Sequence, residues 1–224
     1  MATPNATVRV FAPDHWGELE RFVHLYGETF ALGRMEARAV TGTLNHFRKA
    51  LTLARLAKKL KPNLAMDREQ LEQHGYTPAE NSRELSAVIE EVYTELYSSI
   101  DCATTVIFAL HSRCRGLPKS TRGMFQRVRD GKVGPDFPAP LRDALKDADW
   151  FDKLRSIRDE LTHSDIGNCH LEKDGTTVHY MHSGLHTAGR SLIIDDAFHD
   201  VDFLLDAVNR FHGKVFQYLN AQLH

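Results

Sequence analysis

The hexapeptide Arg158–His163 brings a permanent cation, carboxylates and an imidazole together within two turns of one predicted helix. A neutral imidazole can take a proton from a hydroxyl group near pH 7. A guanidinium offers forked donors that stabilise negative charge on phosphoryl oxygens. These groups could therefore cleave RNA without a metal ion, because the ribose 2′-hydroxyl can itself attack the adjacent phosphate.

Spacing alone does not single out this hexapeptide, since short motifs recur by chance. An arginine and a histidine with four to six residues between them occur three times, as Arg9/His15, Arg68/His74 and Arg158/His163. Pro13 interrupts the first pair, and the second lies in a polar segment without a strong apolar stripe. The third lies on a helix predicted over 149–164, whose buried stripe is Trp150, Leu154, Ile157 and Leu161.

Asp159 and His163 are four residues apart and therefore share a face of this helix. The carboxylate could accept a hydrogen bond from the imidazole and fix its tautomer. His163 falls in the last turn, where the helix dipole favours its protonated form. Arg155, one turn before Arg158, could bind a substrate phosphate or form an ion pair with Asp159. The alternative for the whole group is a surface salt-bridge cluster on an amphipathic helix.

The segment 150–163 resembles the active-site helix of the HEPN family, the higher eukaryotes and prokaryotes nucleotide-binding domains. The family motif is an arginine, then usually Asn, Asp or His, then a few residues and a histidine. Arg158, Asp159 and His163 match it position by position, and Leu161 supplies the apolar residue two before the histidine. The similarity is strong over about 15 residues only.

The resemblance implies a metal-independent endoribonuclease of the toxin or phage-defence type. Such an enzyme acts as a homodimer, in which two motifs face each other across a two-fold axis. It would leave a 2′,3′-cyclic phosphate and a 5′-hydroxyl, with Arg158, Asp159 and His163 as catalytic residues. It needs no metal or other cofactor, and an antitoxin or other regulatory protein is a candidate partner.

Two basic stretches could line a path for the phosphates of RNA. Residues 37–66 hold seven Lys or Arg and no acid before Asp67, and residues 113–132 hold seven against the single Asp130. In the second stretch we assign Arg122 and Arg127, together with Arg155 on the motif helix, to substrate binding. The alternative is a solvated helix face balanced by acidic helices elsewhere.

Composition indicates an ordinary globular protein of 224 residues, which we interpret as a single helical domain over 1–224 with a β insertion at 168–195. The net charge of -2 predicts no global attraction to nucleic acid, so binding must use a local patch. Three cysteines, an odd number, favour a reducing cytoplasm. The longest apolar run, 106–110, is too short to span a membrane, and residues 1–9 do not resemble a signal peptide.

The predicted fold is mainly α: an up-and-down helical bundle with a small β-hairpin insertion before its last helix. We expect an irregular entry over 1–13 and a loop at 131–140. Asn81 or Ser82 is expected to cap the third helix, and Asp174-Gly175 to form a two-residue turn between strands 169–172 and 176–181. A third strand is expected at 191–194. The first predicted helix starts at Asp14. Further helices are predicted over the ranges 44–60, about 82–115, 120–129, 149–164 and 197–219, and a short helix is predicted at 67–74.

Two other functions remain open at the level of sequence. The same fold could be a non-catalytic module that binds RNA, a nucleotide or a partner protein. A metal-dependent phosphohydrolase could instead use histidines of the C-terminal part, namely His179, His182, His186 and the pair His199-Asp200. However, His179 and His182 should point to opposite faces of a strand. Glu91 and Asp101 on the third helix are further candidates to approach the motif.

Overall fold

The computed structural model of the chain describes residues 14–163, 167–182 and 192–223, and the side chains of residues 14–16 and of His163 lie outside this description. Several predictions from the sequence also fall outside the described part: the irregular entry over 1–13, the pair Arg9/His15, the capping side chain of Asp14, the strand position Ser191, and His186.

The described residues form a mainly helical protein with a three-stranded antiparallel sheet before the last helix, so the predicted fold class is confirmed. The helices are α1 Asp14–Thr29, α2 Arg34–Leu60, α3 Leu64–His74, α4 Glu80–His111, α5 Thr121–Arg129, α6 Ala139–Lys146, α7 Phe151–His163 and α8 Ala197–Asn220, with a 3-10 turn at Lys61–Asn63. The strands are β1 Asn168–Leu171, β2 Val178–His182 and β3 Leu192–Ile194.

Contacts divide the chain into two compact units. The first unit comprises Met1–Phe47, Ser98–Trp150 and Asp206–His224, and the second comprises Arg48–Tyr97 and Phe151–Leu205. The long helices α2, α4 and α8 each contribute residues to both units. The first unit holds α5 and α6, whereas the second holds α3, α7 and the sheet. The hexapeptide therefore belongs to the second unit.

The core of the second unit forms where the apolar stripes of α4 and α7 meet the inner face of the sheet. Fully or nearly fully buried residues are Leu85, Ile89, Val92 and Leu96 on α4, Phe151, Leu154 and Ile157 on α7, and Cys169, Val178, Tyr180 and Ile194 on the strands. Burial of each Val, Leu, Ile or Phe side chain among them contributes about 1.5–3 kcal/mol. Cys169 is a core residue, and its burial raises the pKa of the thiol to about 11.

The hairpin between β1 and β2 has a wider turn than the predicted two residues. The last register pair is Leu171 with Val178. The Asp174 carboxylate accepts hydrogen bonds from Thr177 Oγ1 at 2.6 Å and from the backbone N–H groups of Thr177 and Thr176. These hydrogen bonds hold the pKa of Asp174 far below its usual range. Because they occupy the two threonine N–H groups, β2 starts only at Val178.

The expected capping of α4 by its own Asn81 or Ser82 is wrong. The helix begins at Glu80, and both residues are donors to the carboxylate of Asp67 on α3. Asn81 Nδ2 donates to Asp67 Oδ1 at 2.7 Å, and the Ser82 backbone N–H donates to Asp67 Oδ2 at 2.8 Å. A carboxylate from a preceding helix thus satisfies the N-terminus of α4.

Two helices differ from their predicted extent. Helix α2 begins at Arg34, ten residues before the first large apolar residue of its predicted pattern, because the small buried residues Ala39 and Val40 continue the stripe. Helix α6 was not predicted. It starts within the expected loop because proline at a first helical position is pre-organised for a helix, and Leu141 and Leu145 bury its inner face.

Candidate active site

Helix α7 carries the hexapeptide and is held by its inner face. Trp150 is 7% exposed just before the helix, and Phe151, Leu154 and Ile157 are buried, which confirms the predicted stripe at three of its four positions. Leu161 is only half-buried. Arg158 and Asp159 are half-buried and Thr162 is exposed, so these polar side chains of the hexapeptide can reach solvent.

Arg158 is fixed by two contacts. Its guanidinium carbon lies 4.7 Å from the centre of the Tyr97 ring, a cation–π geometry, and Tyr97 in turn stacks on Phe151 with ring centres 6.1 Å apart. Arg158 Nη1 also donates to Asp159 Oδ1 at 3.0 Å. The side chain remains 35% exposed. The guanidinium therefore has a defined position and keeps donors that an anion from solvent can reach.

Asp159 joins two arginines. Its Oδ1 accepts from Arg158, and its Oδ2 accepts from Arg155 Nη1 at 3.2 Å. Arg155 also lies 3.9 Å from the Asp152 carboxylate and is only 23% exposed. Arg155 was predicted either to bind a substrate phosphate or to form an ion pair with Asp159, and the ion pair is observed. This pair holds the carboxylate in place while each of its oxygens retains a lone pair for another donor.

His163 is the last residue of α7, and its side chain lies outside the described part of the chain. Ideal helix geometry places residues five apart about 140° around the axis and about 7.5 Å along it. The Cα atoms of Arg158 and His163 therefore lie on different sides of α7. Asp159 and His163, four apart, differ by only about 40° and share a side.

The chain that follows α7 is tied to α4 by one carboxylate. Glu90 Oε1 accepts hydrogen bonds from the Gly167 backbone N–H at 2.8 Å and from the Tyr180 hydroxyl at 2.7 Å. Burial, followed by this hydrogen bond, raises the pKa of Tyr180. A side chain at position 167 would overlap the Tyr180 ring. Glu160 of the hexapeptide also lies 4.0 Å from Nδ1 of the fully buried His182.

Neither of the further candidates on α4 contacts the hexapeptide in the described structure. Glu91 and Glu95 both accept from Lys49 Nζ, each at 2.6 Å, and these hydrogen bonds raise the pKa of Lys49. Asp101 belongs to the first unit, where it accepts a short hydrogen bond from Thr121. Two residues of α4 that do contact the hexapeptide or the chain after it, Tyr97 and Glu90, were missed by sequence reasoning.

The two basic stretches differ in their partners. In the first, Lys49 pairs with two glutamates, Lys58 lies 2.8 Å from Asp202, and the Lys61 ammonium lies 4.7 Å from the Phe198 ring centre. In the second, five exposed cations have no ion pair within the described residues: Arg113, Arg115, Lys119, Arg122 and Arg127. Lys49 and Lys58 of the first stretch are therefore balanced by acidic side chains of other helices, as the alternative interpretation expected. The five cations of the second stretch remain available to bind an anion.

Arg122 and Arg127 lie on the solvent side of α5 in the first unit. Its opposite side is buried through Thr121, Met124, Phe125 and Val128. Arg122 and Arg127 are both exposed. The substrate-binding arginines predicted from sequence therefore fall into two groups, with Arg155 in the second unit.

The C-terminal histidines do not form a common cluster among the described residues. His179 is half-exposed and lies 3.5 Å from Glu172, whereas His182 is fully buried, so the two occupy opposite faces of β2 as predicted. Asp200 next to His199 is buried and accepts from the Tyr93 hydroxyl at 3.1 Å. Within the described ranges, no group of three or more His, Cys, Asp or Glu side chains is placed to hold a metal ion.

None of the helices in the described ranges combines the length and the apolar character that crossing a membrane requires. Comparisons of the chain with models of protein families, with curated proteins and with solved structures found no match. The resemblance to HEPN domains therefore stays a prediction from the motif residues of α7.

Proposed function

We propose that this chain is a metal-independent endoribonuclease of the HEPN type, with Arg158, Asp159 and His163 at its catalytic centre. The observation that carries the proposal is the position of Arg158. Its guanidinium is fixed between the Tyr97 ring and Asp159 and is still 35% exposed. Pre-organised donors that remain open to solvent are what stabilisation of a phosphoryl transition state requires.

The chemistry needs one base, one acid and one anion binder. Neutral His163 removes the proton from a ribose 2′-hydroxyl, and the 2′-oxygen then forms a bond to the adjacent phosphorus. Arg158 donates to the phosphoryl oxygens as negative charge grows on them. The bond from phosphorus to the 5′-oxygen breaks, and a second acid protonates that oxygen. The products are a 2′,3′-cyclic phosphate and a 5′-hydroxyl.

A homodimer would supply the second acid. Because residues five apart lie about 140° apart around a helix, the Cα positions of Arg158 and His163 are on different sides of α7. Two copies related by a two-fold axis can place the histidine of one beside the arginine of the other, and the second imidazole can protonate the leaving oxygen. We therefore propose that dimerisation completes the catalytic centre.

We propose that the protein acts in the cytoplasm and belongs to a toxin–antitoxin or antiviral defence system. Cys102, Cys114 and Cys169, all within the described residues, form no disulfide, as is usual in a reducing compartment. An unrestrained ribonuclease would damage its own cell, so an antitoxin or other regulatory protein is the expected partner.

Purified protein incubated with labelled RNA and excess EDTA should cleave the RNA and leave 2′,3′-cyclic phosphate ends. The same sequence made as DNA should stay intact, because it lacks the attacking hydroxyl. End-group analysis of the products by mass spectrometry checks both points. Cleavage that requires an added divalent ion, or that produces 3′-hydroxyl ends, would contradict this mechanism.

The five cations of the second basic stretch that have no ion pair with a described residue should carry much of the affinity for RNA. In the non-cleaving His163→Ala background, Arg122→Gln and Arg127→Gln should each reduce the slope of log affinity against log salt by about 0.7, the value for one phosphate contact on a single strand. The matched control is Lys58→Gln, which removes the same charge from a lysine already paired with Asp202. Fluorescence anisotropy over a salt series measures all three. Equal slopes for the arginine variants and the parent would refute the assignment.

A non-catalytic binding module is the alternative, and one observation favours it. Asp159 is engaged by Arg155 and Arg158, as in a surface salt-bridge cluster. RNA binding without any turnover, in the EDTA assay and with divalent ions, would identify the protein as such a module.

A further inference from the structure

A cavity of about 520 Å³ lies in the second unit beside α7, between β3 and the start of α8. Its apolar floor is formed by Ile157, Leu192 and Ile194, and its polar rim by Ser156, Asp195 and His199. The three rim residues are exposed, whereas Ile157 and Ile194 are buried. A concave, mostly apolar site with a few polar groups is the usual form of a small-molecule site.

Two carboxylates that line this cavity, Asp200 and Asp196, already have partners within the protein. Asp200 pairs with Lys153 and accepts from the Tyr93 hydroxyl at 3.1 Å. Asp196 accepts from the backbone N–H groups of Phe198 and His199, at 3.1 and 3.0 Å, and so caps α8. These two carboxylates have structural roles, and neither is left to attract a ligand.

Asp195 is different from its two acidic neighbours. It lines the cavity, is exposed, and forms no hydrogen bond or ion pair with the described residues. Both of its oxygens therefore keep lone pairs that no described residue uses. Donors for a ligand acceptor are also present, since Ser156 and the Lys153 ammonium line the same cavity.

The cavity lies on the same side of α7 as His163. Ser156 precedes His163 by seven residues, which brings the two backbone positions to within about 20° around the helix and about 10.5 Å along it. That distance is within reach of the nucleotides next to a scissile phosphate. A strand of RNA that follows this side of α7 can thus place a base in the cavity and a phosphate near the last turn.

We propose that the cavity binds a guanine base of the RNA and so determines where the chain is cut, an inference that rests on the proposed ribonuclease function. A carboxylate with two open oxygens can pair with two adjacent N–H donors. Among the four RNA bases, only guanine has two adjacent N–H donors, at N1 and the 2-amino group. In the other three bases, each N–H donor lies next to an acceptor atom. Ser156 or Lys153 can donate to the guanine O6, and the apolar floor accepts the ring face, as in other sites that read an unstacked base.

The test uses binding, so that it does not depend on cleavage. Two fluorescent 2′-O-methyl dodecamers cannot be cut because their nucleophile is blocked. One alternates guanine and adenine and the other cytosine and adenine, so that neither strand is complementary to itself. The wild-type protein should bind the guanine-containing strand at least about fivefold more tightly. Asp195→Asn should abolish this preference, because an amide replaces one acceptor by a donor. Asp202→Asn, which changes an exposed aspartate on α8 that does not line the cavity, should retain it.

Equal binding of the two strands by the wild type, or an unchanged preference in Asp195→Asn, would overturn the guanine site. If the preference is present and depends on Asp195 while no RNA is ever cleaved, the guanine site stands and the ribonuclease proposal falls. If RNA is cleaved but neither strand is preferred, the ribonuclease stands and the guanine site falls.

Discussion

Replacement of His163 by alanine should lower the rate of RNA cleavage by about 10²- to 10⁴-fold, the usual contribution of a general acid–base group. The imidazole is the only proposed base for the 2′-hydroxyl, and in the dimer it is also the proposed acid for the leaving oxygen. Single-turnover cleavage of a labelled RNA in EDTA measures the effect. Affinity for a non-cleavable RNA should be unchanged, since the substitution removes a proton carrier and leaves the cations in place.

The matched control for this variant is His170→Ala. His170 lies on β1, is exposed, and has no described partner, so its loss should change the rate by no more than about twofold, as for most surface substitutions. A comparable loss of activity in both variants would show that the assay reports folding and not chemistry. Full activity in His163→Ala would exclude this histidine as the base.

Replacement of Arg158 should reduce cleavage by about 10²- to 10³-fold, the size of effect seen when one pre-organised donor to a transition state is lost. Arg158→Lys should recover little of this activity, because an ammonium cannot reproduce the forked donors or the stacking of a planar guanidinium. The shape of the pH–rate profile should stay as in the wild type, since arginine does not titrate in this range. Cleavage rates from pH 5 to 9 measure both expectations.

Tyr97 provides a finer test of the same site, because it positions the guanidinium and touches no substrate. Tyr97→Phe keeps the ring under Arg158 and should remain close to wild type, whereas Tyr97→Leu removes the cation–π contact and should lose activity with unchanged RNA affinity. Thermal unfolding of both variants separates this effect from lost packing against Phe151. Cleavage that survives both Arg158→Ala and His163→Ala would end the proposed mechanism.

Long apolar stripes made the helices of this protein predictable. Helices α4 and α7 keep buried residues at helical spacing over their lengths, and their predicted and observed extents agree within a few residues at most ends. Helix α6 was missed since its three buried residues follow a proline-rich loop. The hairpin turn was misjudged because the Asp174 side chain, and not the Asp-Gly backbone preference, decides where β2 starts.

The motif was visible in the sequence, but its surroundings were not. Arg158, Asp159 and His163 are close in the chain, so their types and spacing could be read directly. Tyr97 and Glu90 are more than 60 residues away in sequence from the groups they hold, and only packing brings them there. Asp195 and Ser156 likewise become parts of one cavity through the fold of the second unit.

Gly167 and Tyr180 constrain each other's evolution. The tyrosine ring occupies the space that any side chain at position 167 would need, and its hydroxyl shares the Glu90 carboxylate with the glycine N–H. A substitution at either position alone therefore either creates an overlap or leaves a void next to the motif helix. In related chains these two positions should covary, a larger residue at one being tolerated only with a smaller residue at the other.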